Sequence, residues 1–337
     1  MTANHTVRII PHERSISVAE DLPVLAAAQL AGLPLPHSCR SGRCGSCRAR
    51  LLSGRIHYPD GPPLGLSAQE VDQGYVLLCQ ARPRTDLVVE ARLIRSAAAA
   101  EIKTLPSRIA RRVLLAPDVM RLVLRVPSVE SVEFRAGQYL DVLLEGGRRR
   151  SYSVANAHPS GSQFELHVRH VPGGLFSEAV FATLREGDLL RIEGPLGRFT
   201  WQGGTQPVIF VAGGTGFAPI KALLAEALRE DSPHGLHLYW GARDAAGIYE
   251  QALVRDWVGR HPRLTLTTVL SQAAAVSGTH RTGWVHEAVL EDYRSLAPFT
   301  VYAAGPPALI EAIRGTFPAR GLPPQQLHLD SFDYATA

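Results

Sequence analysis

The sequence predicts a multidomain protein in which a small α+β domain, an antiparallel β-barrel and a doubly wound parallel α/β sheet follow one another. Its 337 residues are enough for two or three domains of ordinary size. The middle of the chain carries short alternating strands separated by turns, which is the pattern of a small barrel. The last third alternates buried strands with helices, which is the pattern of a parallel sheet covered on both faces.

Composition and charge exclude several classes of protein. Hydrophobic residues make up 45% of the chain and charged residues 20%, as in ordinary globular proteins. No apolar run approaches the ~20 residues of a membrane span, and the N-terminus has no apolar signal core before a cleavage site. We therefore expect a soluble, cytoplasmic protein without membrane insertion. The net charge of +4 is only mildly basic, and the absence of aromatic-interleaved basic stretches argues against a nucleic-acid partner.

The first domain is expected over residues 1–95, followed by a linker over residues 96–105 that contains an alanine run and for which a short helix is the alternative. Alternating apolar residues and turn signals define its elements. They are strands near residues 7–9 and 16–18, a helix over residues 22–31 and a strand over residues 87–91. A Pro- and Gly-rich loop with most of the cysteines follows the helix. This is a small α+β pattern.

The barrel domain is expected over residues 106–203. Its predicted strands cover residues 113–115, 122–126, 139–144, 151–154, 164–168 and 189–193. One helix, over residues 175–184, interrupts them. The third domain is expected over residues 204–337. Its predicted strands cover residues 208–211, 236–240, 264–270 and 300–303, and its predicted helices cover residues 218–229, 249–258 and 307–316.

All four cysteines of the chain fall into one spacing pattern. They are Cys39, Cys44, Cys47 and Cys79. The pattern Cys-x4-Cys-x2-Cys with a distant fourth cysteine is the plant-type [2Fe–2S] spacing, and thiolates are soft ligands that suit iron. Gly42 and Gly45 would let the backbone wrap closely around a cluster. A structural zinc site, a disulfide and unrelated buried thiols are the alternatives, but zinc sites favour two Cys-x2-Cys pairs and only one is present.

Arginines surround this cysteine loop. They are Arg40, Arg43, Arg48 and Arg50. One interpretation is ordinary solvated surface charge. The other is a basic rim that steers an acidic electron-acceptor protein toward the cluster.

A possible flavin site combines three short motifs of the barrel. The first is Arg150-Ser151-Tyr152-Ser153 on a strand. The second is Gly173-Gly174-x-x-Ser177, where glycines and a hydroxyl open a helix and would suit a pyrophosphate. The third, Gly194-Pro195-Leu196-Gly197, ends the barrel. An ordinary strand-to-helix turn is the alternative for Gly173-Gly174. His167 and His170 lie on opposite faces of a strand, so we interpret them as structural and not as a shared metal site.

A possible dinucleotide site follows the first strand of the parallel sheet. Gly213-Gly214-Thr215-Gly216 links this strand to a helix, where glycines let the backbone approach a phosphate. It is neither a full Gly-x-Gly-x-x-Gly fingerprint nor a P-loop, and a bare tight turn is the alternative. After the second strand, Arg243 favours NADPH and Asp244 favours NADH; we lean towards NADH. Gly305-Pro306 ends another strand at the same edge. One interpretation is a plain strand-to-helix turn, and the other is a lip over the nicotinamide ring.

Taken together, these residues resemble the ferredoxin–NAD(P)H reductase superfamily over the whole chain, in the branch with an N-terminal ferredoxin domain. The stretches that carry the resemblance are residues 37–47, 150–156, 167–174, 213–221, 238–243 and 330–332. They are most similar to those of CDP-6-deoxy-3,4-glucoseen reductases, and reductases of phenol, benzoate and methane oxygenases share them more loosely. The resemblance implies a β-grasp ferredoxin domain, an FAD-binding barrel and an NAD(P)-binding sheet.

The resemblance also implies roles for individual residues. Arg150 would hold the FAD pyrophosphate, Tyr152 would pack along the flavin, and Ser153 would lie near flavin N5. Gly174 and Ser177 would complete the FAD phosphate site. The turn 213–216 would receive the pyrophosphate of NAD(P)H. Phe332 would cover the flavin face where nicotinamide docks, so Ser153 and Phe332 are the candidates closest to the reaction. We nominate no acid–base catalyst, because the cofactors carry the chemistry.

One position departs from the family pattern, which usually has cysteine where this chain has Ala304. The family cysteine contacts the edge of the nicotinamide, so its loss puts the efficiency of flavin reduction in question. The implied function is transfer of electrons from NADH or NADPH through FAD and [2Fe–2S] to a partner protein. That partner is a dehydrase of deoxysugar synthesis or, alternatively, an oxygenase component. A non-catalytic redox relay or sensor is a third hypothesis, which the intact flavin and nucleotide motifs oppose.

Overall fold

The protein divides into two compact units, Met1–Ala99 and Ala100–Ala337. A computed structural model describes residues 3–37, 40, 42–43, 45–66, 68–91, 93, 102–127, 133–157, 162–230, 234–272 and 280–332. Among these residues, no helix is both long enough and apolar enough to cross a bilayer.

The N-terminal unit is a mixed five-stranded sheet with one main helix. Its elements are β1 (Asn4–Ile10), β2 (Arg14–Ala19), α1 (Val24–Leu30), β3 (Arg48–Ser53), β4 (Ile56–His57), α2 (Ala68–Asp72), β5 (Tyr75–Leu77), β6 (Arg82–Pro83) and β7 (Leu87–Glu90). The sheet order is β2-β1-β7-β3-β5, with β4 and β6 as a separate pair. β1 pairs parallel with β7 and antiparallel with β2. This is the predicted β-grasp arrangement.

Alternation of apolar side chains explains why β1 and β2 form there. Val7, Ile9 and Val18 are fully buried, and their neighbours in sequence point outwards. Helix α1 buries Val24 and Leu25 in the same core. The helix is shorter at both ends than the predicted span of residues 22–31, with Pro23 as its N-cap residue and Ala31 as its C-cap residue.

The second unit begins with a six-stranded antiparallel barrel. Its elements are β8 (Lys103–Ala116), β9 (Val119–Arg125), β10 (Tyr139–Leu143), β11 (Arg149–Ser153), β12 (Gln163–Arg169), α3 (Leu175–Ala182) and β13 (Leu189–Leu196). The strand order is β11-β10-β13-β8-β9-β12. A bridge between Val154 and Leu166 joins the two outer strands and closes the barrel.

The start of β8 corrects one sequence-based boundary. Residues 103–105, which we expected in the linker, are already part of β8 and pair with β13. Leu105 is buried in the barrel core, which explains why this end of the segment is ordered into the sheet. The linker residues 96–101 lie outside the described residues.

The unit ends with a six-stranded sheet in which all pairings are parallel. Its elements are β14 (Val208–Gly213), α4 (Phe217–Arg229), β15 (Leu236–Ala242), α5 (Gln251–Arg260), β16 (Leu264–Leu270), β17 (His280–Thr282), α6 (Val285–Asp292), β18 (Thr300–Gly305), α7 (Pro307–Thr316) and β19 (Leu327–Ser331). In the order β17-β16-β15-β14-β18-β19, strands β15 to β17 are added on one side of β14, and β18 and β19 are added on its other side. The order of the strands therefore switches between β14 and β18, although all of them run parallel. Ligands of doubly wound sheets bind at such a switch point, beyond the carboxyl ends of the strands.

Candidate cofactor sites

Antiparallel pairing of two strands brings two of the predicted cluster ligands together. Cys47 directly precedes β3 and Cys79 lies two residues beyond β5, and these strands pair with Arg48 opposite Leu77. The backbone N–H of Leu78 donates to the carbonyl oxygen of Cys47 at 3.2 Å. Both cysteines are buried, at 4% and 5% exposure. The other two predicted ligands, Cys39 and Cys44, lie outside the described residues.

The two cysteines both affect the pKa of one nearby side chain, Tyr58. Burial raises the pKa of its hydroxyl to about 12, a hydrogen bond from the N–H of Leu77 opposes the rise, and Cys47 and Cys79 add to it. Both sulfurs therefore act on one phenol. Two buried soft donors in one small region fit a metal cluster better than isolated structural thiols.

The backbone of the cysteine loop is held against two neighbouring segments. Gly42 has a φ of 78°, and a Cβ there would lie 2.9 Å from Cγ of Gln80 and 3.0 Å from Cβ of Pro63. The amide of Gln80 donates to the carbonyl oxygen of Arg40 at 2.9 Å, and the N–H of Gly65 donates to Gly42 at 2.8 Å. Only glycine fits at position 42 without displacing these supports.

The arginines around the loop differ in their surroundings. Arg48 forms an ion pair with Glu70, and its guanidinium lies 5.3 Å from the ring centre of Tyr75. Arg48 and Arg50 are exposed, whereas Arg40 and Arg43 are partly buried. The charge of Arg48 is therefore already shared with an acidic neighbour.

The flavin motif lies on β11, where successive side chains alternate between two faces. Tyr152 packs against Phe176 of α3, with ring centres 5.3 Å apart. Burial raises the pKa of Tyr152, while the charge of Arg150 lowers it, so the phenol stays neutral at physiological pH. Ser151, on the opposite face, donates to the buried carboxylate of Asp141 at 2.6 Å.

The start of α3 is arranged as a tight, capped turn. Gly174 is its N-cap residue. Ser177 is buried, and its hydroxyl lies within hydrogen-bond distance of the backbone of Val171 and Gly174. The N–H of Gly173 donates to the carboxylate of Glu178 at 3.0 Å, and this hydrogen bond is the main cause of a lowered pKa of Glu178. The structure thus places Ser177 inside the turn, where it shapes the backbone.

A buried hydrogen bond joins the barrel to the parallel sheet. The hydroxyl of Ser153, at the end of β11, donates to the carboxylate of Asp330 in β19 at 3.2 Å. Ser153 is 8% exposed and Asp330 is 5% exposed. Two residues later, the N–H of Phe332 donates to the carbonyl oxygen of Gly305 at 3.0 Å. Of the two candidates closest to the reaction, Ser153 therefore contacts Asp330 directly, and Phe332 follows Asp330 by two residues in the chain.

The glycine positions of the turn after β14 have no room for a side chain. A Cβ on Gly216 would lie 2.0 Å from the carbonyl oxygen of Ala304, on the neighbouring strand. Trp240 donates from its indole N–H to the carbonyl oxygen of Gly214 at 3.2 Å and stacks on Phe217, with ring centres 3.7 Å apart. These contacts fix the backbone of the turn before any ligand binds. Thr215 and Gly216 are buried behind it.

A cleft of about 790 Å³ lies beyond the carboxyl ends of the parallel strands. Its volume is in the range of small-molecule and cofactor sites. The sheet contributes Gly213, Gly214, Arg243 and Pro306 among the predicted residues, and Trp284 adds an aromatic side chain that is 60% exposed. The barrel supplies the facing wall, which includes Asp118, Arg169 and His170.

The sequence analysis missed the charged residues of this facing wall. Arg169 ends β12, and its side chain is only 19% exposed. Its guanidinium lies against the glycine turn, because a Cβ on Gly214 would be 2.8 Å from Nη1 of Arg169. Asp118 lies 3.2 Å from the Nε of Arg169. Arg169 falls within the stretch 167–174 that carries the family resemblance, but the sequence assigned it no role, since its position against the turn depends on how the barrel packs against the sheet.

The structure separates the two charges that made the coenzyme preference ambiguous. Arg243 lines the cleft. Asp244 turns away and accepts a hydrogen bond from the N–H of Gly247 at 3.1 Å, as the N-cap of a short 3₁₀ turn. The carboxylate of Asp244 is therefore engaged in capping the 3₁₀ turn, and Arg243 is the member of the pair that can face a nucleotide.

Behind the glycine turn, a buried charge network links barrel and sheet. Lys221 of α4 donates from Nζ to Glu165 of β12 at 2.6 Å and to Glu250 at 2.9 Å. Nε2 of His167 lies 2.8 Å from the same oxygen of Glu165, and Nδ1 lies 3.0 Å from the Tyr249 hydroxyl. Burial lowers the pKa of His167, so the ring is neutral.

The carboxylates of Glu165 and Glu250 lie close enough to His167 for a shared metal ion, within 4.8 Å. The ammonium group of Lys221 contacts both of them. It supplies the compensating positive charge that a metal would otherwise provide. The contacts of His167 with Glu165 and Tyr249 are consistent with a structural role.

Three domain families match the chain in the order of these sites. The 2Fe-2S iron-sulfur cluster binding domain matches residues 7–84, the oxidoreductase FAD-binding domain residues 106–201, and the oxidoreductase NAD-binding domain residues 210–315. Each match covers the site that geometry indicated, so the three cofactors are [2Fe–2S], FAD and NAD(P)H.

Relatives cover nearly the whole chain. A CDP-6-deoxy-L-threo-D-glycero-4-hexulose-3-dehydrase reductase from Yersinia pestis is 35% identical over 92% of each chain. Reductase component 1 of terephthalate 1,2-dioxygenase from a Comamonas species is 34% identical over 98% of this chain and 97% of the relative. The crystal structure of the Amycolatopsis cytochrome P450 reductase GcoB is 31% identical, with a TM-score of 0.78 over 97% of this chain and 98% of that one.

The order of the domains, the fold of each and the near-complete coverage by these relatives agree. The chain belongs to the ferredoxin–NAD(P)H reductase superfamily, in the branch of NAD(P)H-dependent iron–sulfur flavoprotein oxidoreductases with an N-terminal ferredoxin domain.

Proposed function

We propose that this protein is a cytoplasmic reductase that delivers electrons from NAD(P)H to a dehydrase acting on a CDP-linked deoxysugar. The relative from Yersinia pestis, named as the reductase of such a dehydrase, supports this choice of partner. The coenzyme supplies electrons in pairs; FAD, when bound, would accept the pair and release it one electron at a time, and the cluster would carry one electron at a time. The remaining work of the protein is to bind, orient and shield these groups.

The hydrogen bond between Ser153 and Asp330 is the observation that carries the mechanism. It joins the flavin strand of the barrel to the last strand of the nucleotide sheet, at 3.2 Å between two buried residues. Asp330 orients the hydroxyl of Ser153, which would lie near flavin N5. Phe332, tied to Gly305, would cover the flavin until nicotinamide replaces it. Correct alignment of the two rings is the main contribution that protein groups can make here.

The remaining binding roles follow the two phosphate-binding turns. Arg150 and the N-terminal turn of α3 that begins at Gly173 and Gly174 would hold the FAD pyrophosphate, since helix N-termini favour anions. Ser177 would keep this turn in shape, and Tyr152 would pack along the flavin.

The turn 213–216 would receive the pyrophosphate of NAD(P)H, and Arg169 would neutralise it from the barrel side. Arg243 would face the adenosine ribose, and Trp284 would stack on the adenine. Pro306 would close the cleft over the nicotinamide end. Cys39, Cys44, Cys47 and Cys79 would ligate the cluster.

A reductase for an oxygenase is the second candidate. The Comamonas and Amycolatopsis relatives, named as reductases of a dioxygenase and of a cytochrome P450, cover this chain as fully as the dehydrase reductase does. The difference between the two candidates lies only in the acceptor. A non-catalytic relay would need a disabled nucleotide or flavin site, and the motifs of both are intact.

An anaerobic titration tests the electron path. The purified protein is titrated with NADH and then NADPH, and followed by visible absorbance and electron paramagnetic resonance. We expect flavin bleaching followed by a rhombic signal of the reduced [2Fe–2S] cluster. Bleaching without the signal would contradict the role of the cluster. No bleaching with either coenzyme, and no reduction of ferricyanide, would favour the relay.

The acceptor is tested by reoxidation of the reduced protein. A CDP-6-deoxyhexulose dehydrase and a terephthalate dioxygenase oxygenase component are mixed separately with it, and the loss of the cluster signal is timed. Faster reoxidation by the dehydrase supports the first candidate, and faster reoxidation by the oxygenase supports the second. A neighbouring gene for either acceptor gives an independent indication.

A further inference from the structure

Asp118 lies in the turn between β8 and β9, at the centre of the barrel wall of the nucleotide cleft. Its backbone oxygen accepts a hydrogen bond from the N–H of His170 at 2.8 Å, which fixes the turn against the end of β12. Its carboxylate oxygen Oδ2 lies 3.2 Å from the Nε of Arg169 and 3.5 Å from the Nη2 of Arg243. One carboxylate therefore faces two arginines that come from different domains.

The side chains of the two arginines differ in how exposed and how restrained they are. Arg169 is 19% exposed and lies against Gly214, so it stays beside the pyrophosphate turn. Arg243 is 64% exposed and projects from the carboxyl end of β15, where the adenosine ribose is read in such sheets. Among the described residues, Asp118 is the side chain that contacts the Arg243 guanidinium, at 3.5 Å. Neutralising Asp118 would therefore change the position of Arg243 more than that of Arg169.

We propose that Asp118 selects the coenzyme, by engaging the Arg243 guanidinium that the 2′-phosphate of NADPH would otherwise bind, so that NADH is preferred. This inference rests on the proposed function of the cleft. Both coenzymes carry the pyrophosphate that meets Arg169, and only NADPH carries a phosphate at the ribose. Binding NADPH requires Arg243 to leave Asp118 and exposes a carboxylate close to the new anion. Asp118 acts through Arg243 and is a specificity residue.

The test compares two ligands that differ only in the 2′-phosphate. Binding of ADP-ribose and of 2′-phospho-ADP-ribose to the oxidised FAD-loaded protein is measured by titration calorimetry, and kcat/KM is measured for NADH and NADPH with ferricyanide. Asp118→Asn should raise the preference for the phosphorylated ligand about two- to fivefold, within the range for an exposed ion pair. The same change in the NADPH-to-NADH ratio of kcat/KM is expected. The double variant with Arg243→Gln should lose this gain.

Two further variants keep the proposal falsifiable. Glu287→Gln removes another carboxylate of the same cleft; an equal gain there would replace the specific role of Asp118 with a general charge effect. Arg243→Gln alone should weaken 2′-phospho-ADP-ribose less than twofold, since Arg243 is already engaged. A tenfold loss, or an unchanged ratio in Asp118→Asn, overturns the proposal. Failure of the unaltered protein to bind either ligand would overturn the nucleotide site itself.

Discussion

At the scale of single residues, the proposed role of Ser153 at the flavin depends on its contact with Asp330. Both groups are buried and 3.2 Å apart, and the acceptor is a carboxylate. Hydrogen bonds to charged groups contribute about 1.5–3 kcal/mol. Asp330→Ala should therefore slow flavin reduction by NADH roughly 10- to 100-fold in stopped-flow experiments.

The control for Asp330 is Asp292→Ala, which removes another carboxylate of the sheet domain. Asp292 accepts from the Tyr239 hydroxyl at 2.7 Å and does not line the cleft. It should alter stability and leave the rate of flavin reduction within about twofold, the scatter expected for a site outside the reaction. Equal slowing in both variants would mean that Asp330 acts only through folding.

Ala304 offers a second test at this scale. It is fully buried, and its carbonyl oxygen blocks the space beside Gly216. Restoring the family cysteine with Ala304→Cys should speed flavin reduction by NAD(P)H, because a thiol there would touch the nicotinamide edge. The added sulfur should also cost about 1–3 kcal/mol of stability in a packed core.

Ala303→Cys is the matched control for this substitution. Ala303 is equally buried, but it faces the opposite side of the sheet, in the core beneath α6 and α7. Its substitution should cost stability without changing the rate. If stopped-flow measurements show no acceleration in Ala304→Cys, the missing cysteine does not limit the enzyme.

At the scale of elements, the network around Lys221 holds the nucleotide helix α4 against barrel strand β12. Removing a partner from a buried ion pair leaves an uncompensated charge, which costs about 3–5 kcal/mol. Lys221→Met should lower the free energy of unfolding by that amount, measured by urea denaturation with FAD release as the signal. Arg229→Met, which breaks an exposed pair with Glu226 on the same helix, should cost less than about 1 kcal/mol. Equal losses would contradict a special role of Lys221.

The same network predicts how stability responds to acid. Burial alone would raise the pKa of Glu165, but His167 and Lys221 outweigh it and hold the pKa at about 2, below the ordinary value of 4.5. The unfolded chain thus binds more protons between these values, and stability falls as the pH drops from about 4.5 towards 2. In Glu165→Gln this part of the acid dependence should disappear, as seen in urea midpoints measured across that range. An identical pH profile in the variant would refute the assignment.

Elements also show where the sequence was informative. Strand β1 was predictable because Val7 and Ile9 alternate with polar residues, and β14 was predictable because residues 208–211 form a short apolar run; both are strong local signals. The short strands β3 and β5 were not predicted, although they bring Cys47 and Cys79 together. Helix α6 and strand β19 were missed as well, since their apolar residues are few and their stability comes from packing against the sheet.

At the scale of the whole molecule, the domain order and the three cofactors could be predicted from motifs. The contacts between the barrel and the parallel sheet could not. Glycine turns and cysteine spacing are written in neighbouring residues. Asp118 and Arg169 reach the nucleotide cleft only because the barrel packs against the sheet, and Asp330 reaches Ser153 across 177 positions of sequence. Such contacts depend on tertiary structure, which no local pattern encodes.

The charge around the cluster loop leads to a prediction about the complex with the acceptor. If the rim steers an acidic partner, Arg43→Glu should slow cluster reoxidation by that partner and flatten its dependence on ionic strength. Arg43 is preferable to Arg48, whose reversal would also break the ion pair with Glu70. Arg14→Glu, on β2 at the far edge of the same sheet, makes the same change in net charge away from β3. Stopped-flow reoxidation at several salt concentrations separates the cases. Slowing confined to Arg43→Glu indicates local steering, and slowing in both variants indicates an effect of net charge alone. Unchanged kinetics in both variants would show that the rim is ordinary solvated surface.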